Sequence, residues 1–220
     1  MSRRNRSSVA IAASVGTTAF AGGHKAYTIG VSNTVQGNGW REEMICAMRA
    51  QALVEGDVSG LIVAHRNTDS AGQLEDINNL IEAGVDAIQL FDTWGGILHP
   101  ADYAKVVLPC VKRIMDGLAD AGVPRIYFLK GSAPYLDLVT TLDVEALGMD
   151  WTMDMARSLP LMEGYAVQGN LDPLALFGTE DEIRRRALEI CEAGKDARGH
   201  VFNLGHGITP PTPISAVETL

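Results

Sequence analysis

Short, nearly uninterrupted apolar runs alternate with stretches of helical periodicity along most of this chain, and no other feature of the sequence restricts its fold as strongly. Tyr27 to Ser32 is a β-rich run that passes through the polar, glycine-bearing loop Asn33 to Gly39 into Trp40 to Leu53, where Met44, Ala47, Met48, Ala52 and Leu53 can share one helical face. Gly60 to His65 repeats the strand. Gly72 to Glu82 repeats the helix, with Leu74, Ile77 and Ile81 at near-helical spacing and Gly84 just past its end. Val85 to Phe91 is a third strand, opening into the loop Asp92-Thr93-Trp94-Gly95-Gly96.

The rhythm continues downstream. Pro100 to Ala121 reads as one long helix stopped by Gly122-Val123-Pro124, and Arg125 to Leu129 as a strand. A short helix around Pro134 to Leu142 precedes the strand Ala146 to Met149, and a weak helix at Met153 to Ser158 precedes the strand Tyr165 to Gln168. Thr179 to Glu192 is a strong helix with Thr179 at its N-cap and Glu182 at N3, and Val201 to Leu204 is the last strand. Seven strands with short connections predict an α/β protein built on one parallel sheet with right-handed crossovers, covered on both faces or closed into a barrel.

A chain of 220 residues, 46% hydrophobic, fills one core well, so a single α/β domain is expected over residues 26–220. The net charge of −9 argues against nucleic acid or an anionic membrane as partner, since both need a basic face. No segment approaches the roughly 20 apolar residues of a membrane span. Cys46, Cys110 and Cys191 lie far apart in helical patterns among apolar neighbours, which predicts reduced, buried or half-buried thiols. Residues 1–25 read either as a secretory leader or as a disordered tail. Arg3-Arg4-Asn5-Arg6, the diluted apolar run Val9 to Phe20 and Ala19-Phe20-Ala21 carry the first reading, and the choice decides between a periplasmic and a cytoplasmic protein. At the other end, Thr209-Pro210-Pro211-Thr212-Pro213 is a rigid connector before a helix that begins at Ile214, and the chain is expected to be cropped at both ends.

Ligands of α/β sheets and barrels bind at the C-terminal strand ends. That rule gathers Asn33, Arg66, Asp92, Thr93, Lys130, Asp150, Trp151, Asn170, Asp172 and His206 on one rim. His206 stands between Gly205 and Gly207 after an apolar strand, where a ligand can approach the backbone and an imidazole can exchange protons, although a simple turn also explains Gly-His-Gly. Lys130, beside Gly131-Ser132, offers a cation to a substrate carboxylate, and Asp172 is expected to cap the next helix. His24, His65, His99 and His200 read as structural or surface residues. No pair of histidines has ligand spacing beside a carboxylate, so no metal site is expected.

Phe91-Asp92-Thr93-Trp94-Gly95-Gly96, Phe128-Leu129-Lys130-Gly131, Gly148-Met149-Asp150-Trp151, Val167-Gln168-Gly169-Asn170-Leu171-Asp172-Pro173 and Phe202-Asn203-Leu204-Gly205-His206-Gly207 occur in order. Together they resemble the C-terminal part of uroporphyrinogen decarboxylase, over about 88–220. The resemblance implies a TIM-barrel enzyme of haem biosynthesis that removes acetate carboxyl groups from a tetrapyrrole without metal or organic cofactor. It makes His206 the match of an active-site histidine and puts Thr93 where the family usually has a substrate-contacting serine. Asp92, Lys130 and Asn170 become candidates for substrate contact. The family's Arg-Gln-Ala-Gly-Arg motif, its pyrrole-binding aspartate and a further tyrosine have no match, which implies impaired or absent turnover.

Tyr27-Thr28-Ile29-Gly30-Val31-Ser32-Asn33, Asn38-Gly39-Trp40-Arg41 and Gln73-Leu74-Glu75-Asp76-Ile77 resemble the first, flavodoxin-like βαβαβ of a periplasmic sugar-binding protein of ABC transporters. That resemblance makes Trp40, Arg41 and Arg66 candidates for sugar contact, while Trp40 also reads as a staple at a helix start. The two resemblances meet at residues 87/88, so the chain reads as a chimera, natural or designed, whose seven strands form an incomplete TIM-barrel-like sheet. The expected partners are a small molecule, tetrapyrrole or sugar, and a second copy joined through open sheet edges. A scaffold without turnover is the alternative.

Overall fold

The computed structural model describes residues 27–54 and 57–220, without the side chain of Trp40. The leader expected over residues 1–25, with His24, lies outside them. Backbone contacts divide the described residues into two compact units: residues 27–88 with 121–124, and residues 89–120 with 125–220.

In the smaller unit β1 (Tyr27–Asn33) pairs in parallel with β2 (Val58–His65), with Asn33 opposite His65. Helices α1 (Gly39–Val54) and α2 (Ser70–Glu82) follow the two strands. A Cβ on Gly30 would lie 2.8 Å from Leu80, so glycine lets α2 press directly on β1. Asp69 caps α2 by accepting from the amides of Ala71 and Gly72. The third strand begins at Ile88, three residues later than the apolar run suggests. Gly84, at φ +93°, and Val85 still close the helix end, their amides bonded to the carbonyls of Ile81 and Leu80.

The larger unit holds the five-stranded order β3 (Ile88–Asp92), β4 (Arg125–Leu129), β5 (Ala146–Gly148), β6 (Ala166–Gln168) and β7 (His200–Val201). The last three pairings are parallel, and the hydrogen bonds from the Ile88 amide to the Pro124 carbonyl and from the Lys130 amide to the Asp92 carbonyl, in the same order along both strands, give β3 the same direction. Instead of one seven-stranded sheet, the described strands form a pair and a sheet of five, because alternating apolar runs fix the strands but not their partners. Tyr127, Leu129, Leu147 and Val167 bring the core to the middle of the sheet, where Tyr103, Val111 and Met115 cover them. Complete burial of such a side chain contributes about 1.5–3 kcal/mol.

Three departures are local. The helix expected over Pro100 to Ala121 is divided into α3 (Pro100–Asp102), a π-helical turn at Tyr103–Val107, and α4 (Leu108–Gly117). Pro109 lacks an amide hydrogen, and the preceding Leu108 amide reaches five residues back to Tyr103. The last strand stops at Val201, and beyond it one isolated bridge, Leu171 to Leu204, continues the pairing through the Leu171 amide to the Asn203 carbonyl and the Gly205 amide to the Leu171 carbonyl. Cys46, Cys110 and Cys191 are all exposed, correcting the expectation of buried thiols. On α4 the buried face runs through Leu108, Val111 and Met115, and Cys110 falls beside it rather than on it.

The remaining helices of the larger unit are α5 (Leu136–Val139), α6 (Met155–Ser158), α7 (Glu180–Gly194) and α8 (Ile214–Glu218). Thr179 caps α7 through the Glu182 amide, and Asp172 accepts from the Leu174 amide, as the sequence suggests. His99 caps α3 through the Ala101 amide. No helix among the described residues is long and apolar enough to cross a membrane.

Candidate functional site

Loops at the C-terminal ends of β4, β5 and β7 bring Lys130, Trp151 and His206 to the rim of the larger unit, the loop after β6 sets Asn170 beneath it, and the loop after β3 adds Thr93. The half-buried His206 ring lies 5.8 Å from Trp151 in an edge-on contact and 6.4 Å from Phe128, while Phe128 meets the exposed Phe91 at 6.1 Å. The Lys130 ammonium stands 5.7 Å from the centre of the Trp151 ring, a cation–π distance. Among the described residues no ion pair involves Lys130, which leaves its charge available to an anion. The result is a cation and an imidazole beside an aromatic wall.

Glycine makes this approach feasible at two points. A Cβ on Gly205 would lie 2.2 Å from the Trp151 nitrogen and 2.8 Å from the Asp150 carbonyl carbon, so a side chain there would force the histidine-bearing loop off the tryptophan. A Cβ on Gly96 would lie 1.9 Å from the Lys130 carbonyl oxygen, so the β3 loop packs against Lys130 only through glycine.

Asp92, expected to contact substrate, has its carboxylate engaged by its own loop and by β4. One oxygen accepts from the Gly95 amide at 2.7 Å, the other from the Tyr127 hydroxyl at 3.1 Å. Tyr127 in turn lies 2.7 Å from the Tyr103 hydroxyl. Burial pushes both tyrosines above the ordinary phenol range, so they remain protonated donors. The Tyr135 hydroxyl holds the Gly96 and Leu98 carbonyls of the same loop. Thr93 is half-buried on a loop clamped by these tyrosines.

Asn170 is buried. Its amide nitrogen donates to the carbonyls of Asp150 and Met153, at 2.9 and 2.8 Å, and its side-chain oxygen has no partner among the described residues. This amide is anchored beneath the rim rather than displayed on it. Beside it, Asp150 is wholly buried, with both oxygens accepting hydrogen bonds.

The candidates from the smaller unit are also engaged. Arg66 pairs with Asp76 at 2.7 Å and Glu75 at 3.1 Å, and the hydrogen bond to Asp76, then that to Glu75, raise its pKa. Arg41 donates to the Asn33 side chain, whose amide contacts His65, and His65 reaches Glu42 at 2.7 Å. A sugar-contacting role for Arg41 or Arg66 has to compete with these bonds. The side chain of Trp40 lies outside the described residues. No group of three or more His, Cys, Asp or Glu among the described residues is gathered as metal ligands would be.

Sequence reasoning missed the roles of Phe128, Tyr127 and Asp150. The available signal was an acid directly after the apolar Ala146–Met149, followed by tryptophan, a place where a carboxylate has to find donors.

A family model described as uroporphyrinogen decarboxylase matches residues 71–220. The uroporphyrinogen decarboxylase of Syntrophotalea carbinolica is 47% identical over 133 residues, which cover 60% of this chain and 39% of that protein. The Geotalea daltonii protein is 42% identical and that of a Nocardioides species 45% identical, each over 140 residues covering 64% of this chain and 41% of the relative. The chain spans about two fifths of the length of these curated relatives. These matches bear out the decarboxylase resemblance and carry nothing of the sugar-binding one.

Proposed function

The chain belongs to the uroporphyrinogen decarboxylase family, and on that premise we propose that the rim of its larger unit binds a tetrapyrrole through the acetate carboxylates and takes part in their cofactor-free decarboxylation. The observation that supports this reading best is the convergence of Lys130, Trp151, Phe128 and His206 at the C-terminal strand ends. In this reading the five strands are the C-terminal part of a TIM barrel.

Decarboxylation breaks the bond between the acetate methylene and its carboxylate carbon. Carbon dioxide leaves, the electron pair passes into a pyrrole protonated on carbon, and a proton delivered to the methylene makes the methyl group. The ring carbon gives up its own proton, so that one proton is consumed for each carbon dioxide released. Lys130 pairs with a carboxylate of the substrate. Phe128 and Trp151 keep water from one side of the reacting group, where burial disfavours the charged carboxylate over the spreading charge of the transition state. His206 holds or moves the proton, and the Thr93 hydroxyl contacts the carboxylate.

Anaerobic incubation with uroporphyrinogen, followed by chromatography of the products, tests this. Turnover should fall by about 100-fold or more in His206→Ala. Product formation indifferent to that substitution would sink the assignment of His206. A cooperatively folded protein with no turnover would favour binding without chemistry. That second reading draws support from the charge of the rim: among the rim residues named above Lys130 is the cation, for a substrate with many carboxylates.

The unit of residues 27–88 is a sugar-binding fragment in a further reading, which makes the chain a composite of two parents. Its support is the parallel β1–β2 pair with Asn33 and His65 at the C-terminal strand ends and Arg41, on α1, donating to the Asn33 side chain. Calorimetric titration with pentoses and hexoses should then give heat that Arg41→Ala abolishes, and silent titrations would remove this reading.

A further inference from the structure

We propose that Asp150, which faces no ligand position, is the positioning residue that holds the rim's four loops in the register that brings Lys130, Trp151 and His206 together. The proposal rests on the reading of that rim as the binding site. One carboxylate oxygen accepts from the amides of Gly131 at 2.6 Å and Ser132 at 3.0 Å, the residues directly after Lys130. The other accepts from the Thr152 amide at 2.7 Å and from the Thr152 hydroxyl, closing a turn with Trp151 at its apex. The main-chain carbonyl of Asp150 accepts from Asn170, tying in the loop after β6. The backbone of Gly205 rests on Asp150 and Trp151, which seats the loop carrying His206.

The chemistry of this arrangement argues for placement over stability. Asp150 is 0% exposed, and all of its donors are neutral N–H or O–H groups. A buried carboxylate without a cation carries a desolvation penalty that a well-packed apolar residue avoids, so such a group is poor at simply stabilising a core. It is effective at fixing directions, because an acceptor with two oxygens and donors on two separate loops permits one relative position of those loops. Asparagine cannot replace it. Its amide nitrogen would confront the donors of one loop whichever way it turned.

The experiment is Asp150→Asn in the full chain, read in a Trp40→Phe/Trp94→Phe background in which Trp151 is the remaining tryptophan of three. The protonated imidazole quenches an indole in contact with it, so Trp151 emission should fall on acidification in the reference protein, and His206→Gln should abolish that fall. In Asp150→Asn the acid quenching should be largely lost while the protein still unfolds cooperatively. Thr152→Val, which removes one donor to the same carboxylate, should show a partial loss and guards against a fold too weak to measure. Glu145→Gln, at the opposite strand ends, should keep the full quenching. With uroporphyrinogen, Asp150→Asn should lower kcat/KM by about 100-fold, as expected for a misplacement of about 1 Å. Quenching that survives in Asp150→Asn, or vanishes equally in Glu145→Gln, overturns the proposal. Absence of turnover in the reference protein would count against the proposed function alone, because the Trp151 signal still reports on the placement.

Discussion

The hydroxyl chain from Tyr103 through Tyr127 to Asp92 allows a quantitative test. Tyr103 and Tyr127 are 0% and 1% exposed, and Phe would fill the same space. Because Tyr127 donates to the Asp92 carboxylate, its oxygen accepts from Tyr103. Tyr127→Phe removes a bond to a charged group, about 1.5–3 kcal/mol, and leaves the Tyr103 hydroxyl buried without its acceptor, about 1–3 kcal/mol more. Relief from desolvating the Tyr127 hydroxyl offsets part of this, so a loss of about 3 kcal/mol is expected. Tyr103→Phe removes a neutral bond and should cost about 1 kcal/mol. In the double variant no hydroxyl is orphaned, and what remains is the donor lost to Asp92, about 2 kcal/mol.

The singles therefore sum to about 4 kcal/mol against about 2 for the pair, a coupling well outside the roughly 0.5 kcal/mol within which independent sites add. Urea denaturation of the four proteins, with m-values held equal, measures it. A double variant whose loss equals the sum of the singles would refute the directed chain. An alkaline titration gives a second check. Burial holds both phenols above the ordinary range, so the stability they carry is full below about pH 10 and falls as pH rises toward their folded values, and the Phe/Phe variant should lose part of that slope.

Burial pushes Glu145 upward, but hydrogen bonds and charge from Arg125 outweigh it and leave the carboxyl below its ordinary value; its contribution should be complete above about pH 4 and vanish as pH falls through the folded value. Urea midpoints measured between pH 7 and pH 3 should accordingly fall less steeply in Glu145→Gln. Thr179→Ala should destabilise by about 1 kcal/mol through loss of the α7 cap, and Thr179→Ser should restore it in thermal melts. Thr93→Ser should retain or raise uroporphyrinogen turnover, whereas Thr93→Val, without the hydroxyl, should lower it about 100-fold. Association through edge strands should give a dimer in light scattering, and a monodisperse monomer would exclude it.

Periodicity made the strands and most helices legible, because a buried parallel strand needs a continuous apolar run and a helix needs a stripe. Local chemistry was legible as well: Thr179, Asp172 and His99 act within a few residues of their own positions. What failed depended on distant partners. Nothing in Val58–His65 or Ile88–Asp92 says whether those strands share a sheet. The exposure of Cys110 depends on a rotation of about 100° per residue, which a count of apolar neighbours does not resolve. The same limit governs the site. The placement of Lys130 and His206 directly after strands could be read locally, whereas the hydrogen bond that Asp92 accepts from Tyr127, 35 residues away, is not visible from its neighbourhood.

The two ends of the larger unit's sheet handle charge in opposite ways, and the difference explains how an acidic chain can keep a rim cation out of ion pairs. At the N-terminal strand ends Arg125, 4% exposed, is paired with Glu145 at 2.9 Å and Asp143 at 3.4 Å and also donates to the Met115 carbonyl. There carboxylates and cation neutralise one another. At the C-terminal ends the rim acids Asp92, Asp150 and Asp172 accept from amides and hydroxyls instead. Had any of them turned outward, the Coulomb attraction over about 4 Å at a protein surface, about 4 kcal/mol before screening, would tend to capture Lys130 in an internal ion pair. With these acids engaged by neutral donors, the ammonium stands over the Trp151 ring rather than in an internal ion pair.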